Sequence, residues 1–551
     1  MRNRILALVL AVTAAPLGIT CSGRPAIVAP VQGSALDRSG SGPVDVVFPQ
    51  ALPQAAVVTF RLLAGVDSPP AAVRDVTARI ALNTARDRAT GSLVPWELAP
   101  GRNTLFANVD QDGDGKTDVT SSSTFTWDPE AAPSCAFGTG ALPAETLPPG
   151  TLHGDAIPID HFVVVMQENR SSDHYFSPLH SDGQPDVDPG PADPSNPDPT
   201  GGPPIHAFHQ TKTCEVADLN HSWNGTHQEW NGGAMDGFTA ANVDPDDPTG
   251  SRTMGFHTRA ELPFYYALFE TFAIGDRYFS SVLSQTFPNR FYLLAATSFG
   301  HIRNDIFPDA SEWSQPSIFE TLDQGAVSWK IYRENLAYGA FFAYVRDNAG
   351  NRVVGIKKFV ADAAAGTLPQ VSFVDLTVLG GNNVEDDEHP TANIQVGQKA
   401  VANVVNALLA SPQWSSSALV VIYDEHGGFW DHVPPPRACA PDDIPPDLQP
   451  GDAPGEFDRY GIRVPMAMVS PFAKRHFVSH RIYDHTSVLR LIETRFDLPA
   501  LTRRDANADP MLDLFDFEQP PFLAPPTLPP AVLDPAAWRD CDPTGPPPPV
   551  S

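Results

Sequence analysis

Basic residues are scarce in this chain. Across 551 residues, 36 Lys and Arg stand against 65 Asp and Glu, giving a formal net charge of −29. That imbalance excludes functions resting on broad attraction to nucleic acid or to an anionic bilayer. Long apolar runs are also missing: the most hydrophobic stretch, residues 5–19, falls short of the roughly 20 residues a membrane-crossing helix requires. Cysteine is sparse, with five residues in all. Once Cys21 is set aside, Cys135, Cys214, Cys439 and Cys541 allow at most two disulfides, in three pairings among which the sequence does not choose. An even set suits an oxidising compartment.

Proline and glycine are plentiful, at 58 and 40 residues, and hydrophobic residues make up 42%. The composition is that of a globular protein rich in long loops. The length exceeds one ordinary domain and predicts a smaller unit beside one large unit. Arg2 and Arg4, the apolar run and the small residues after it read as a secretory signal over residues 1–21. The chain is therefore expected to be exported: secreted, periplasmic or held at an outer surface, with no transmembrane helix in the mature form. Cys21 can serve as the acceptor of a lipid anchor; plain cleavage near Ala14 or Ala15 is the alternative.

From 26 to 130, short alternating segments such as 44–48, 57–63 and 104–109 are separated by Pro, Gly and Ser. This pattern predicts a small all-β sandwich of immunoglobulin-like character. Its last hairpin carries DQDGDGKTD at 110–118, where Asp110, Asp112, Asp114 and Asp118 form a candidate calcium loop. The bidentate Glu of a full calcium-binding loop is missing, and a solvated turn is the competing reading. Residues 131–157 are Pro/Gly-rich and read as a linker, 158–518 as the catalytic domain, and 519–551 as a Pro-rich tail. An acidic, proline-laden insert at 181–204 is expected as a surface flap. Strand-like runs alternating with helical patterns, such as a helix over 398–409 and a buried strand over 464–469, predict an α/β fold with a mixed or mainly parallel sheet.

Two apolar strands end on chemistry-bearing residues. Residues 159–167 run into Glu168, Asn169 and Arg170, and residues 417–423 run into Asp424, Glu425 and His426 followed by Gly427 and Gly428. Open α/β sheets present ligand sites at such strand ends. Glu168, Asn169, Asp424 and Glu425 offer hard oxygen ligands for a divalent cation; capping and salt bridging with Arg170 is the plainer alternative. Adjacent acids on a strand point to opposite faces, so Asp424 and Glu425 can share an ion only if the chain turns, which the glycines permit. Thr286 precedes Pro288 and a helical pattern, which places it just ahead of a helix N-terminus as a candidate nucleophile or as a simple N-cap. His221, His389 and His485 lie in polar segments near these motifs. Singly each reads as a structural residue, and together they supply the proton donor that a departing alkoxide needs.

Four motifs, MQENRSSDHYF at 166–176, TFPNR at 286–290, YDEHGGF at 423–429 with DHVPPP at 431–436, and DHTSVLR at 484–490, resemble the bacterial phosphoesterase family of non-haemolytic phospholipase C and related acid phosphatases. That family is similar to the alkaline phosphatase superfamily. The resemblance implies an α/β/α sandwich, one divalent ion held by Glu168, Asn169, Asp424 and Glu425, and attack on phosphorus by Thr286. It further implies that His221 and His389 contact phosphoryl oxygens or protonate the leaving group. Arg170, His426 and His485 would support the ligands from behind. Ser172 and Ser177 depart from the family's Phe and Gly, and the N-terminal unit is outside the resemblance. An oxygen ligand set favours Ca²⁺, Mg²⁺ or Mn²⁺ over Zn²⁺. The expected substrate is a phosphoester, with a phospholipid headgroup and phospholipase C-type cleavage preferred to acid phosphatase action on monoesters. Trp223, Trp230, Tyr265 and Phe429 are available for a choline cation, although core packing accounts for them equally well. A reading of another class is a catalytically silent binding protein.

Overall fold

The computed structural model describes residues 24–66, 72–304, 316–377 and 385–541. Residues 1–21, read above as a secretory signal, and with them Cys21, lie outside the described residues. The chain divides into two compact units, one ending at Pro129 and one beginning at Glu130.

The smaller unit consists of two four-stranded antiparallel sheets. Its strands follow the period-2 rule: Val44, Val46 and Phe48, then Phe60, Leu62 and Ala64, then Leu105, Ala107 and Val109 are buried at alternate positions. Both sheets feed one shared apolar core. The 110–118 turn joins two of the strands, and its carboxylates bond backbone N–H groups of the turn itself. Asp110 accepts from Gly113 and Gly115, Asp112 from Asp114, and Asp118 from Gln111.

The larger unit is built on an eight-stranded sheet. In chain order its strands are β1 (His161–Gln167), β2 (Ala273–Gly275), β3 (Trp329–Arg333), β4 (Val353–Gly355), β5 (Val371–Asp375), β6 (Ser417–Tyr423), β7 (Met466–Val469) and β8 (Phe477–Ser479). They lie in the order β4-β3-β5-β1-β6-β7-β2-β8. β7 alone runs antiparallel to its neighbours; the other pairings are parallel. β6 is buried at every position, as expected of a central parallel strand covered on both faces and read in the sequence as a continuous apolar run.

The helices that matter for the site are α1 (Ser172–Phe176), α2 (Trp223–Trp230), α3 (Pro263–Thr271), α4 (Thr286–Ala295), α5 (Ile394–Leu409) and α6 (His485–Phe496). α5 starts four residues before the periodicity suggests, because the Asn393 side chain caps it by accepting from Gln395 N–H. Apolar faces of α3, α4, α5 and α6 join the sheet in one core.

Two disulfides, Cys135–Cys439 and Cys214–Cys541, tie residues about 300 positions apart. The first fastens the stretch before β1 to the large unit, and the second fastens its C-terminal segment. The 181–204 insert lies mainly at the surface and is anchored at a few positions. It buries Gln184, Val187 and Asn196, and its Asp188 lies 3.3 Å from His432 Nε2.

Candidate active site

β1 and β6 are direct neighbours, paired in register from His161 with Ser417 to Gln167 with Tyr423. Their ends therefore project side by side, and the residues that follow are forced together. Beyond the strands both chains turn. Asn169 adopts φ +62°, and Gly427 and Gly428 adopt +65° and +77°. A Cβ at Gly427 would come within 2.3 Å of the Asn169 carbonyl oxygen, so only glycine lets the two turns nest. Asp424 Oδ1 accepts from the backbone N–H groups of Asn169 at 3.1 Å and of Glu425 at 2.7 Å, which joins the turns.

Glu168, Asn169, Asp424 and Glu425 are all buried. Among the described residues, Asn169 Oδ1, Asp424 Oδ2 and Glu425 Oε1 have no hydrogen-bond partner. Buried oxygens of this kind are costly unless something compensates them. Burial pushes the Asp424 carboxyl well above the usual carboxylate range, with Glu168 and Glu425 repelling in the same sense and Arg290 opposing. A divalent cation reverses that logic, since it supplies both the missing ligand and the missing charge. The donor set, three carboxylates and an amide oxygen at two adjacent strand tips, fits a hard cation.

The structure adds a residue to which the sequence reading assigned no role. Arg290, on α4, places Nη2 2.8 Å from Glu168 Oε1 and Nε 3.4 Å from Asp424 Oδ2, with its guanidinium 4.0 Å from the Tyr338 ring centre. Burial works against its charge, but Tyr338, Glu168 and Asp424 hold the guanidinium above its ordinary pKa. The Tyr338 hydroxyl donates to Glu168 Oε1. Arg290 carried a signal in the sequence, four residues after Thr286 on one helix face. Tyr338 carried none.

Thr286 is the first residue of α4, with Gln285 as the N-cap. It does not stand just ahead of the helix, as Pro288 suggests, because Pro288 occupies the third helical position rather than the first. Four residues span about 6 Å of helix, so Thr286 lies one turn before Arg290 on the same helix face. The side chain is buried.

The histidines sort by what they touch. His221 Nδ1 lies 2.8 Å from the Leu219 carbonyl, which can only accept, so Nδ1 carries the proton. Nε2 then faces Asn169 Nδ2 at 3.4 Å and Glu425 Oε1 at 3.8 Å. Burial lowers the His221 pKa, but Glu425 and Asp218 outweigh it and raise it to about 9. His389 lies with its ring centre 5.7 Å from that of His221, and its Nε2 lies 3.8 Å from Asp218 Oδ2. Asp218, His221 and His389 thus form one cluster, in which Asp218 was not anticipated.

His426 bridges Glu229 at 2.7 Å and Glu425 at 3.3 Å. His485, first residue of α6, donates from Nε2 to the Asp424 carbonyl at 2.8 Å and accepts from the Tyr278 hydroxyl at 3.0 Å. Burial lowers its pKa to about 3, so it is neutral and orients backbone. Arg170 donates twice to the Glu388 carbonyl and lies 4.7 Å from the Phe429 ring centre. The Glu388 carboxylate in turn accepts from Tyr175, Tyr265, Tyr423 and Gln167, locking the segment beside His389 to the end of β1. Tyr265 and Phe429 are consumed by this packing and offer no aromatic surface to a ligand.

Residues 159–499 match the family model described as the phosphoesterase family. The chain is 35% identical over 447 residues to phospholipase C B of Mycobacterium tuberculosis, covering 70% of this chain and 81% of that protein. It is 33% identical to non-specific phospholipase C6 of Arabidopsis thaliana, covering 65% of this chain and 72% of that one. With non-hemolytic phospholipase C of Burkholderia pseudomallei it shares 30% identity, over 70% of this chain and 64% of the relative. The matched span runs from the strand that delivers Glu168 to the helix that begins at His485, and over it the chain belongs to the phosphoesterase family, as a hydrolase of phosphoric esters.

Proposed function

We propose that this enzyme is an exported, metal-dependent phosphodiesterase of phospholipase C type in which Thr286 is the nucleophile. The observation that carries the reading is the set of buried oxygens on Asn169, Asp424 and Glu425 that have no hydrogen-bond partner among the described residues, gathered where β1 and β6 end. Glu168, Asn169, Asp424 and Glu425 would hold the ion. When bound, the ion supplies charge that stabilises an alkoxide and the phosphoryl oxygens. The Thr286 Oγ–P bond forms as the P–O bond to the leaving alcohol breaks, and His221 or His389 returns a proton to that alcohol. Water then attacks phosphorus of this threonyl phosphodiester, breaking the Thr286 Oγ–P bond, restoring the hydroxyl and releasing the remaining substituent as a phosphomonoester. The Glu425 and Asp218 carboxylates beside His221 favour its protonated form, which suits an acid. Arg290 keeps Glu168 and Asp424 in place against their mutual repulsion.

The diester preference rests on the relatives, whose names are those of phospholipases C. Export is supported by the two disulfides. The large unit is read as an alkaline phosphatase-like α/β/α sandwich and the small unit as an immunoglobulin-like sandwich, with 110–118 as a turn able to take calcium. The test compares p-nitrophenyl phosphate with p-nitrophenyl phosphorylcholine, with and without chelator. Turnover favouring the diester and lost on chelation is expected. Hydrolysis of the monoester alone would make the enzyme an acid phosphatase, and silence on both with metal present would leave a binding protein.

A further inference from the structure

Each of the four side chains proposed to hold the cation has one polar atom already engaged by the protein. Asp424 Oδ1 accepts from the backbone N–H groups of Asn169 and Glu425, while Oδ2 has no hydrogen-bond partner among the described residues. Glu425 Oε2 accepts from Gly427 N–H at 2.6 Å and lies 3.3 Å from His426 Nδ1, while Oε1 is the unpartnered atom. Asn169 faces His221 with Nδ2, which sets Oδ1 apart as its ligand atom. For Asp424 and Glu425 the engaged oxygen is fixed chiefly by backbone.

Glu168 completes the pattern through side chains instead. Its Oε1 accepts from the Tyr338 hydroxyl and has Arg290 Nη2 2.8 Å away, which leaves Oε2 to a cation. Tyr338 is itself held on several sides. Its N–H donates to Asp375 Oδ2 at 3.1 Å, at the end of the strand β5 that pairs with β1. Its ring centre lies 4.0 Å from the Arg290 guanidinium and 5.9 Å from that of Phe287, and the residue is buried. The hydroxyl therefore has little freedom to leave Glu168.

How many oxygens each carboxylate can give decides which cation the set suits. Ca²⁺ takes about six to eight oxygens at about 2.3–2.6 Å and often draws both from one carboxylate. Mg²⁺ and Mn²⁺ are octahedral, and Mg²⁺ gives up its waters reluctantly, so three buried carboxylates and an amide suit Mn²⁺ better. Side chains restricted to one oxygen each cannot close on a larger ion with two.

We propose that Tyr338, by engaging Glu168 Oε1, restricts Glu168 to one ligand oxygen and so sets the cation preference of the site, favouring an octahedral ion of Mn²⁺ type over Ca²⁺. The inference rests on the cation reading given above and names the ion within it. Tyr338 acts through Glu168 and is a positioning residue.

The experiment titrates the full-length enzyme, freed of metal by chelator, with MnCl₂ and with CaCl₂ in a calorimeter, and reads the ratio of the Ca²⁺ Kd to the Mn²⁺ Kd. The expected wild-type ratio is at least about tenfold. Tyr338→Phe keeps the ring and its packing but frees Oε1 of one donor, and should lower the ratio by about tenfold as Glu168 gains a second oxygen for Ca²⁺. Adding Arg290→Met clears the other neighbour of Oε1 and should lower it again. Variants whose two affinities fall together with the ratio unchanged overturn the proposal, since a purely structural defect behaves that way. The wild-type preference needs no variant: Ca²⁺ bound as tightly as Mn²⁺ overturns the proposal alone, whereas binding of neither ion overturns the cation reading and the proposal with it.

Discussion

Arg290→Met is the substitution whose consequence can be worked most fully from the geometry. The guanidinium stands between Glu168 and Asp424, 2.8 and 3.4 Å from their nearest oxygens, and its side chain is only 4% exposed. Methionine keeps much of the volume and removes the charge. Breaking a buried ion pair by deleting one partner costs about 3–5 kcal/mol, because the remaining charge is left unpaired. Unfolding entropy of about 2.1 cal/mol/K per residue gives, for a unit of about 420 residues, about 0.9 kcal/mol per degree. The expected fall in Tm is therefore about 3–6 °C in chelator. A divalent cation held by the same carboxylates would offset most of that loss, so the difference between variant and wild type should shrink when metal is added. Scanning calorimetry of both proteins, with chelator and with Ca²⁺, Mg²⁺ or Mn²⁺, measures it. An equal fall in both conditions would refute the idea that Arg290 and a cation share the work of neutralising these carboxylates.

Other outcomes follow from the same site. A cation at a hundredfold excess over its Kd should stabilise wild type by about 2.7 kcal/mol, or about 3 °C; Asp424→Asn should abolish that rise, and a full rise in the variant would remove Asp424 from the ligand set. Thr286→Ala should lower kcat at least about a thousandfold with Tm unchanged within error, and near-normal turnover would exclude it as nucleophile. A pH effect is expected away from the site, where burial lowers the His432 pKa but Asp173 and Asp188 outweigh it and raise it to about 10 from 6.5. A group with its folded pKa raised contributes fully below 6.5 and loses that contribution as pH rises toward 10. Tm should therefore decline over that window in wild type, and His432→Gln should flatten the decline; parallel curves would refute the assignment.

The strand ends were legible because both β1 and β6 are continuous apolar runs, and a buried strand that stops on acids has few structural explanations. Their adjacency in one sheet was not legible: parallel pairing across some 250 residues leaves no local mark. The same holds for the disulfide pairings and for Tyr338, whose hydroxyl reaches Glu168 from 170 residues away. Asn169 looked like a ligand by type, yet its left-handed backbone became visible only once Gly427 was seen packed against its carbonyl. Arg290 shows the intermediate case, since helical spacing from Thr286 set its face but not what that face would meet. Composition was enough to set the acidic insert at the surface but not to find its anchors, because average polarity leaves no mark of a contact such as that from Asp188 to His432. The aromatic residues near the motifs illustrate the reverse: Tyr265 and Phe429 were available by type and are spent on packing around Glu388 and Arg170.

The most direct measurement is chemical trapping of the covalent intermediate. Enzyme mixed with a chromogenic diester and quenched in acid within the first turnover should yield a peptide in which Thr286 carries the phosphoryl group still esterified to the non-leaving substituent, absent when chelator is present. Recovery of the phosphoryl group on another side chain, or rapid turnover with no phosphorylated peptide at any quench time, would contradict the account.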